Sequence, residues 1–241
     1  MQIIIMAAGR GRRLGSLTAD IPKALIEVAE EPLVQHSLRF ARQAGGGRVI
    51  VVGGFYYEQL EPVVRALDSE AVLVENTNLH AGNLLSLVAG MTALQDDQGF
   101  LLMNCDHIYP RQVAQIVENT ARDASDITAF CDFDRELCAD DMKVKLQGRR
   151  VVSMAKTLEE WDAGYVGMTW IPDARRGDYD RAVGDFRATK GDDNPVERVL
   201  VHLAESEQRP AIADISGHGW HEVDEPHERE RAEAALRSQR T

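Results

Sequence analysis

The chain has 241 residues, 27% of them charged and 44% hydrophobic, with a formal net charge of −12. That length suits one large α/β domain or two small ones, and without a repeat, low-complexity stretch or clear linker the simplest account is a single domain over residues 1–241. The acidic balance leaves no broad basic face, which argues against nucleic acid or an anionic membrane as the main partner.

Residues Gln2–Met6 read as a buried strand. Ala7–Lys23 follow as a glycine-rich loop that holds Arg10, Arg12 and Arg13 and closes on Pro22-Lys23. Glycine lets backbone N–H groups turn together toward an anion and lets that anion come close. Four cations gathered there in an acidic chain point to a polyphosphate, most economically a nucleoside triphosphate. A dinucleotide fingerprint fits less well. Gly15 arrives one place late, with Leu14 in the expected position. Pro22 interrupts a continuous helix, and the next strand, Arg48–Val52, ends in Gly53-Gly54 with no carboxylate for a ribose.

Further strands are expected at Ala71–Glu75 and Phe100–Asn104, with helices at Leu33–Gln43, Tyr57–Leu67, Asn83–Leu94 and Arg111–Thr120. Leu60, Val63, Val64 and Leu67 recur at helical spacing, as do Leu84, Leu87, Val88 and Met91. Pro32, Pro62 and Pro110 fit helix first turns. The alternation predicts parallel strands with helices on both faces and a ligand site beyond the strands' carboxyl ends. From Asp126 the pattern changes to strands at Asp126–Asp132, Met142–Leu146, Val151–Ala155 and Tyr165–Ile171, joined by turns such as Gln147-Gly148. A helix near Pro195–Ala204, a short strand at Ala211–Ile215 and a charged helix over Glu225–Gln239 complete the chain, the last with Glu233 and Arg237 at supportive spacing.

Asp106 stands at the end of the apolar run from Phe100, on the edge that faces the phosphate loop. A carboxylate there either holds a divalent cation against phosphate oxygens or caps the following turn. Asp224, in Trp220-His-Glu-Val-Asp-Glu-Pro-His, sits where a short strand meets the last helix, and N-capping and metal ligation are compatible roles there. Gly82 and Asn83 open a helix after a strand. The amide offers donor and acceptor together, suited to a cytosine edge, while capping by Asn83 and Ser86 is the plainer alternative. Lys156 is either an acceptor-phosphate ligand or a surface lysine. His107 orients Asp106, touches an acceptor, or makes a local hydrogen bond. Gly167 inside a strand marks close approach to the backbone, which suits a ligand. Trp161, Trp170, Trp220 and Tyr165 read as core or pocket wall. His218 and His221 have no further ligand cluster, so no zinc is assigned. Cys105, Cys131 and Cys138 follow no zinc spacing and leave an odd thiol however they pair, which fits a reducing compartment. No apolar run approaches a membrane span of roughly 18 residues and no charged leader precedes Ile3, so a cytoplasmic protein without a membrane segment is expected.

Taken together, residues 7 to 25 resemble the signature of nucleotidyltransferases that activate sugar phosphates and related alcohols. Gly9, Gly11, Arg13, Leu14, Leu17, Thr18, Pro22 and Lys23 match its Gly-x-Gly-x-Arg-Leu-x-Pro-Leu-Thr and Pro-Lys elements, and Ser16 replaces the motif proline. The resemblance implies an α/β, Rossmann-like, GT-A-type three-layer fold with a mixed, mostly parallel central sheet. It implies Mg²⁺ as cofactor, with Asp106 and Asp224 as its ligands. Within that superfamily, Ala81-Gly-Asn-Leu-Leu-Ser-Leu, Asp106-His-Ile-Tyr, Lys156-Thr-Leu and Trp161-Asp-Ala resemble CTP:inositol-1-phosphate cytidylyltransferases, with phosphocholine and phosphonate cytidylyltransferases close by.

The resemblance implies CTP and a small phosphorylated acceptor as partners. Arg13, Lys23, Asp106 and Asp224 are then the catalytic set. The nucleotide is expected against Ala7, Ala8, Gly9, Gly11, Arg12, Arg13, Lys23, Asn76, Gly82, Asn83, Ser86 and Asp106. The acceptor is expected against His107, Tyr109, Lys156, Asp162 and Gly167. A non-catalytic nucleotide sensor stays open as a different class. A glycosyltransferase of similar fold would want Asp-x-Asp, which Asp106-His-Ile does not supply. The oligomeric state, a homodimer included, is left open.

Overall fold

Ile3, Ile4 and Ile5 have no exposed surface, so the first strand is covered on both faces and lies inside the molecule. Fully burying each such side chain stabilises by about 1.5–3 kcal/mol. The computed structural model describes residues 1–79, 82–95, 98–206 and 208–238. Ala81 of the expected base-binding segment and Gln239 of the last expected helix lie outside the described residues.

The first half holds β1 (Gln2–Met6), β2 (Glu27–Val28), β3 (Glu31–Pro32), α1 (Leu33–Gln43), β4 (Arg48–Gly53), α2 (Tyr57–Leu67), β5 (Val72–Glu75) and α3 (Leu84–Met91). Then come β6 (Phe100–Asn104), β7 (His107–Ile108), α4 (Arg111–Asp123) and β8 (Thr128–Asp132). The remainder is β9 (Lys143–Gln147), β10 (Arg150–Ala155), β11 (Ala163–Ile171), α5 (Arg176–Lys190), α6 (Glu197–Glu205), β12 (Ala211–Asp214), β13 (His221–Glu222) and α7 (Pro226–Ser238).

The main sheet runs β5-β4-β1-β6-β11-β8-β12-β10-β9. β5, β4, β1 and β6 are parallel; β11 is antiparallel to β6 and β8, β12 is parallel to β8, and β10 is antiparallel to β12 and β9. Among the described residues, β10 and β11 therefore run against the rest. Alternation along each strand divides the core into two. Ile3, Ile5, Val49, Val51, Leu101 and Met103 pack with side chains of α1, α2, α4 and α7. Ile4, Ile50, Val52 and Leu102 pack on the other face with side chains of α3, α5 and α6. This is the expected three-layer α/β fold.

Two expectations change. Pro62 lies in the second turn of α2 rather than the first, because the helix starts at Tyr57 after a left-handed Tyr56. α3 ends at Met91, and Thr92, Ala93 and Leu94 continue in three-residue turns onto Ala89, Gly90 and Met91. Helix α5 was not anticipated, although Tyr179, Ala182, Val183 and Phe186 are buried at the i, i+3, i+4, i+7 spacing of one helical face. The short strand expected before Asp224 is β13; its pairing with β7, which sets Glu222 against His107 and His221 against Ile108, was not anticipated. All three cysteines are free, with Cys105 and Cys131 buried.

Candidate active site

The loop after β1 is held by a bond to β4 and by one of its own side chains. Ala7 N–H donates to the Val52 carbonyl (2.8 Å), and Thr18 Oγ1 donates to the Gly11 carbonyl (2.7 Å). Gly11 adopts φ 72°, and a Cβ there would meet Lys23 Cβ and Thr18 Cγ2 at 3.0 Å, so both conformation and space require glycine. Buried Leu14 anchors the turn, and Gly15 at φ 60° breaks it. Lys23 is thereby pressed inward and is only 7% exposed. Arg10 turns away, its guanidinium 5.7 Å from the Phe55 ring centroid.

Lys23 Nζ lies 2.6 Å from Asp106 Oδ2 and is also paired with Asp224. Asp106 follows β6, whereas Asp224 follows β13. The β7–β13 ribbon brings them together, with Val223 N–H donating to the Asp106 carbonyl (2.9 Å). Asp224 does not cap α7. Glu228 reaches back to accept from the N–H groups of Asp224 (2.8 Å) and Glu225 (3.0 Å), the return half of a capping box, and Asp224 is left to Lys23 and Arg13. Burial opposes charge on Lys23, yet Asp106 and Asp224 outweigh it and raise the ammonium above the ordinary lysine range. Burial likewise opposes charge on Asp106, yet Lys23 and His107 hold its carboxyl well below the usual range.

Two hard oxygen donors converging on one cationic group are a donor set that fits Mg²⁺, which favours one or two carboxylates completed by substrate phosphates and water. The ammonium stands where positive charge belongs between the two acids. Among the described residues, no group of three or more His, Cys, Asp or Glu is gathered to hold a metal.

His107 orients Asp106. Its Nδ1 lies 2.7 Å from Asp106 Oδ1, and its ring stacks on Trp220 at 5.2 Å. Burial pulls His107 down, but Glu222 and Asp106 prevail and raise it. Burial pushes Glu222 up to about 7. Gly167 adopts φ 73°, and a Cβ would meet Asn104 Nδ2 and His107 Nε2 at 3.0 Å. The close approach read from that glycine is therefore filled by two of the protein's own side chains, though Gly167 does line the cleft.

A cleft of about 540 Å³ joins these groups, a size within the ordinary range for small-molecule sites. Gly9, Gly11, Arg12, Arg13, Lys23, Asp106 and Asp224 line it from one half of the molecule; Lys156, Tyr165, Glu197 and Arg198 line it from the other. Asp140 bridges the halves, paired with Arg13 and 2.8 Å from Lys156 Nζ. A smaller recess of about 110 Å³ is walled by Ala7, Ala8, Gly9, Lys23, Asn83, Ser86 and Asp106. Asn83 makes no cap on its own helix; its Oδ1 accepts from Val196 N–H (2.7 Å) at the start of α6. Gly82 packs against the backbone of Asn194, where no side chain fits. Asn76 lines neither space; its Nδ2 donates to Ser86 Oγ (3.1 Å) and braces it.

Two expected acceptor residues are not brought to the cleft. Tyr109 is buried against Phe40 with its hydroxyl donated to the Val166 carbonyl. Asp162 is exposed and accepts from Leu146 N–H (2.7 Å) at the sheet edge. Asp140, Glu197, Arg198, Glu222 and Asn104 line the cleft without having been singled out. Only the Asp140-Asp141 pair carried a signal, an acidic doublet just before an alternating strand.

Comparison with known proteins places the fold. Residues 3–223 match the MobA-like NTP transferase domain. The UTP–glucose-1-phosphate uridylyltransferase AglF of Haloferax volcanii is 30% identical over 128 residues, covering 52% of this chain and 51% of the relative. A bifunctional IPC transferase and DIPP synthase of Aquifex aeolicus is 24% identical over 235 residues, 97% of this chain and 51% of that protein. The chain thus spans about half the length of these curated relatives. The inositol-1-phosphate CTP transferase structure from T. maritima matches with a TM-score of 0.81 at 21% identity, covering 94% of this chain and 90% of that one, which shows a shared fold. The chain belongs to the MobA-like NTP transferase domain family.

Proposed function

We propose that this family member is a magnesium-dependent cytidylyltransferase that moves CMP from CTP to a phosphorylated small alcohol, inositol 1-phosphate in first place, through one nucleotidyltransferase domain over residues 1–241. The observation that carries the reading is the single ammonium of Lys23 shared by Asp106 and Asp224 at the mouth of the glycine loop, in the same cleft as Lys156.

An acceptor phosphate oxygen bonds to the α-phosphorus of CTP in line, the bond from that phosphorus to the β-bridging oxygen breaks, and pyrophosphate leaves with the electron pair. A phosphate monoester is already anionic near neutral pH, so no general base is required. The protein's task is positioning and charge neutralisation. Arg12, Arg13 and the loop N–H groups take the β- and γ-phosphates. Lys23 lies across the α-phosphate and the incoming oxygen and lessens their repulsion. Asp106 and Asp224 would hold Mg²⁺, which supplies charge neutralisation at the α-phosphate when bound. Asn83 and Ser86 face the base, and Lys156 grips the acceptor phosphate.

Pyrophosphate release across four NTPs and a panel of phosphorylated acceptors, with and without Mg²⁺, tests this. CTP with inositol 1-phosphate and Mg²⁺ is the expected pairing. The identity to AglF favours a second reading, and a preference for UTP with hexose 1-phosphates would replace the first with it. Phosphocholine or a phosphonate as best acceptor would change only the acceptor. Nucleotide binding with no pyrophosphate release under any acceptor would make the protein a sensor.

A further inference from the structure

Glu197 opens α6 and is 8% exposed, yet it lines the cleft. Burial raises its pKa, and its own backbone N–H is the one hydrogen-bonding group found on the carboxylate among the described residues. It has no ion-pair partner there, in contrast to Asp106, Asp224 and Asp140, which all pair with cations. A buried carboxylate facing a cavity with no ion pair, offset by its own N–H and by the more distant charges of Lys156 and His107, gains from a ligand that supplies donors.

The surroundings select the ligand. Lys156 and Arg198 line the same half of the cleft and suit an anionic phosphate, with Lys156 already paired to Asp140. A quaternary ammonium is held by aromatic faces, but Trp161, Trp170 and Trp220 are not among the residues lining the cleft. Trp220 is stacked on His107 with Arg135 over its ring, and the exposed Trp161 lies beside Lys143. Tyr165 lines the cleft, but a single phenol ring does not make the aromatic cage that holds a quaternary ammonium. A neutral, hydroxyl-rich body satisfies the site, because an ionised carboxylate accepts from several O–H donors at once.

We infer that Glu197 is the residue that selects a polyhydroxylated acceptor, accepting hydrogen bonds from its ring hydroxyls while Lys156 holds its phosphate. This rests on the cytidylyltransferase reading and names the part of the site that chooses the alcohol.

The test compares inositol 1-phosphate with cyclohexyl phosphate, which keeps the ring and phosphate and lacks the hydroxyls. The wild type favours inositol 1-phosphate, and Glu197→Ala cuts that preference about tenfold or more, with KM for CTP unchanged. Glu197→Gln keeps the volume and one acceptor oxygen and falls between. Calorimetric titration of both acceptors, in the presence of a non-hydrolysable CTP analogue, reads the same discrimination without turnover. Equal weakening of both acceptors by Glu197→Ala, or unchanged discrimination, overturns the inference. If the wild type releases no pyrophosphate but still discriminates in the titration through Glu197, the reaction assignment fails and the acceptor assignment stands.

Discussion

At the proposed nucleotide end of the cleft, Lys23 is buried between two aspartates; at the proposed acceptor end, Lys156 and Asp140 meet with about half of each side chain exposed, 44% and 50%. Both ends are built from lysine and aspartate, yet their settings differ. The first pair of contacts sits over β1 and β6 in the parallel core, the second on segments near the antiparallel edge. Burial strengthens charge interactions and makes an unpaired charge expensive, whereas exposed pairs contribute little. The nucleotide end is therefore fixed by the fold, and the acceptor end is free to vary without cost to it.

The largest effect expected from that contrast is at Lys23. Lys23→Ala leaves Asp106 and Asp224 facing each other without the ammonium and should cost about 3–5 kcal/mol in urea unfolding. Mg²⁺ should then raise the melting temperature of the variant more than that of the wild type. Wild-type stability in the variant would break the comparison.

Asp106→Asn comes next. Lys23 keeps Asp224 as a partner, so the fold is expected to hold, while turnover drops about a hundredfold, on the order of 3 kcal/mol in the barrier. Steady-state rates measured beside thermal melts separate the two effects. At the exposed end, Lys156→Ala should leave stability within about 0.5 kcal/mol and raise the acceptor KM about tenfold with the CTP KM unmoved. A folding defect there would show that the acceptor end is as rigid as the other.

The smallest effect is a control within the parallel half and away from the cleft. His36 is buried on α1, with its Nε2 3.0 Å from the Val28 carbonyl and its Nδ1 2.9 Å from Arg39 Nη2 and 3.7 Å from Glu31. Arg39 donates to Nδ1, so Nε2 carries the hydrogen and the ring is neutral. Burial lowers its pKa, followed by opposing effects from Val28 and Arg39. The unfolded chain then takes up the proton first, so this contribution is full above about pH 6.5 and declines as pH falls below it. His36→Gln should flatten the slope of melting temperature against pH between 6.5 and 5 relative to the wild type.

Much of this was legible before folding. The glycine loop, the parallel strands and the helices between them follow local patterns, and β1, β6, α1 and α2 fall where alternation and helical spacing put them. The site was legible where a residue's type announced itself: Lys23 after proline, Asp106 at a strand end. That Tyr109 and Asp162 lie away from the cleft lining was not legible, because sequence shows which residues stand beside a motif but not which way they point. Asp140 and Glu197 were missed because an acidic residue in an acidic chain reads as solvated surface until the fold buries it or sets it against a cation.

The sequence by itself settled a glycine-rich loop bearing cations, an alternating α/β half and a short list of acids, because backbone conformation and amphipathic period are local properties. Only the tertiary structure decided which acids share an ammonium, through a two-residue ribbon joining positions 107–108 to 221–222, and that Glu197 is buried without an ion pair among the described residues. Pairing and burial depend on segments more than a hundred residues apart, and no local pattern encodes the distance between them.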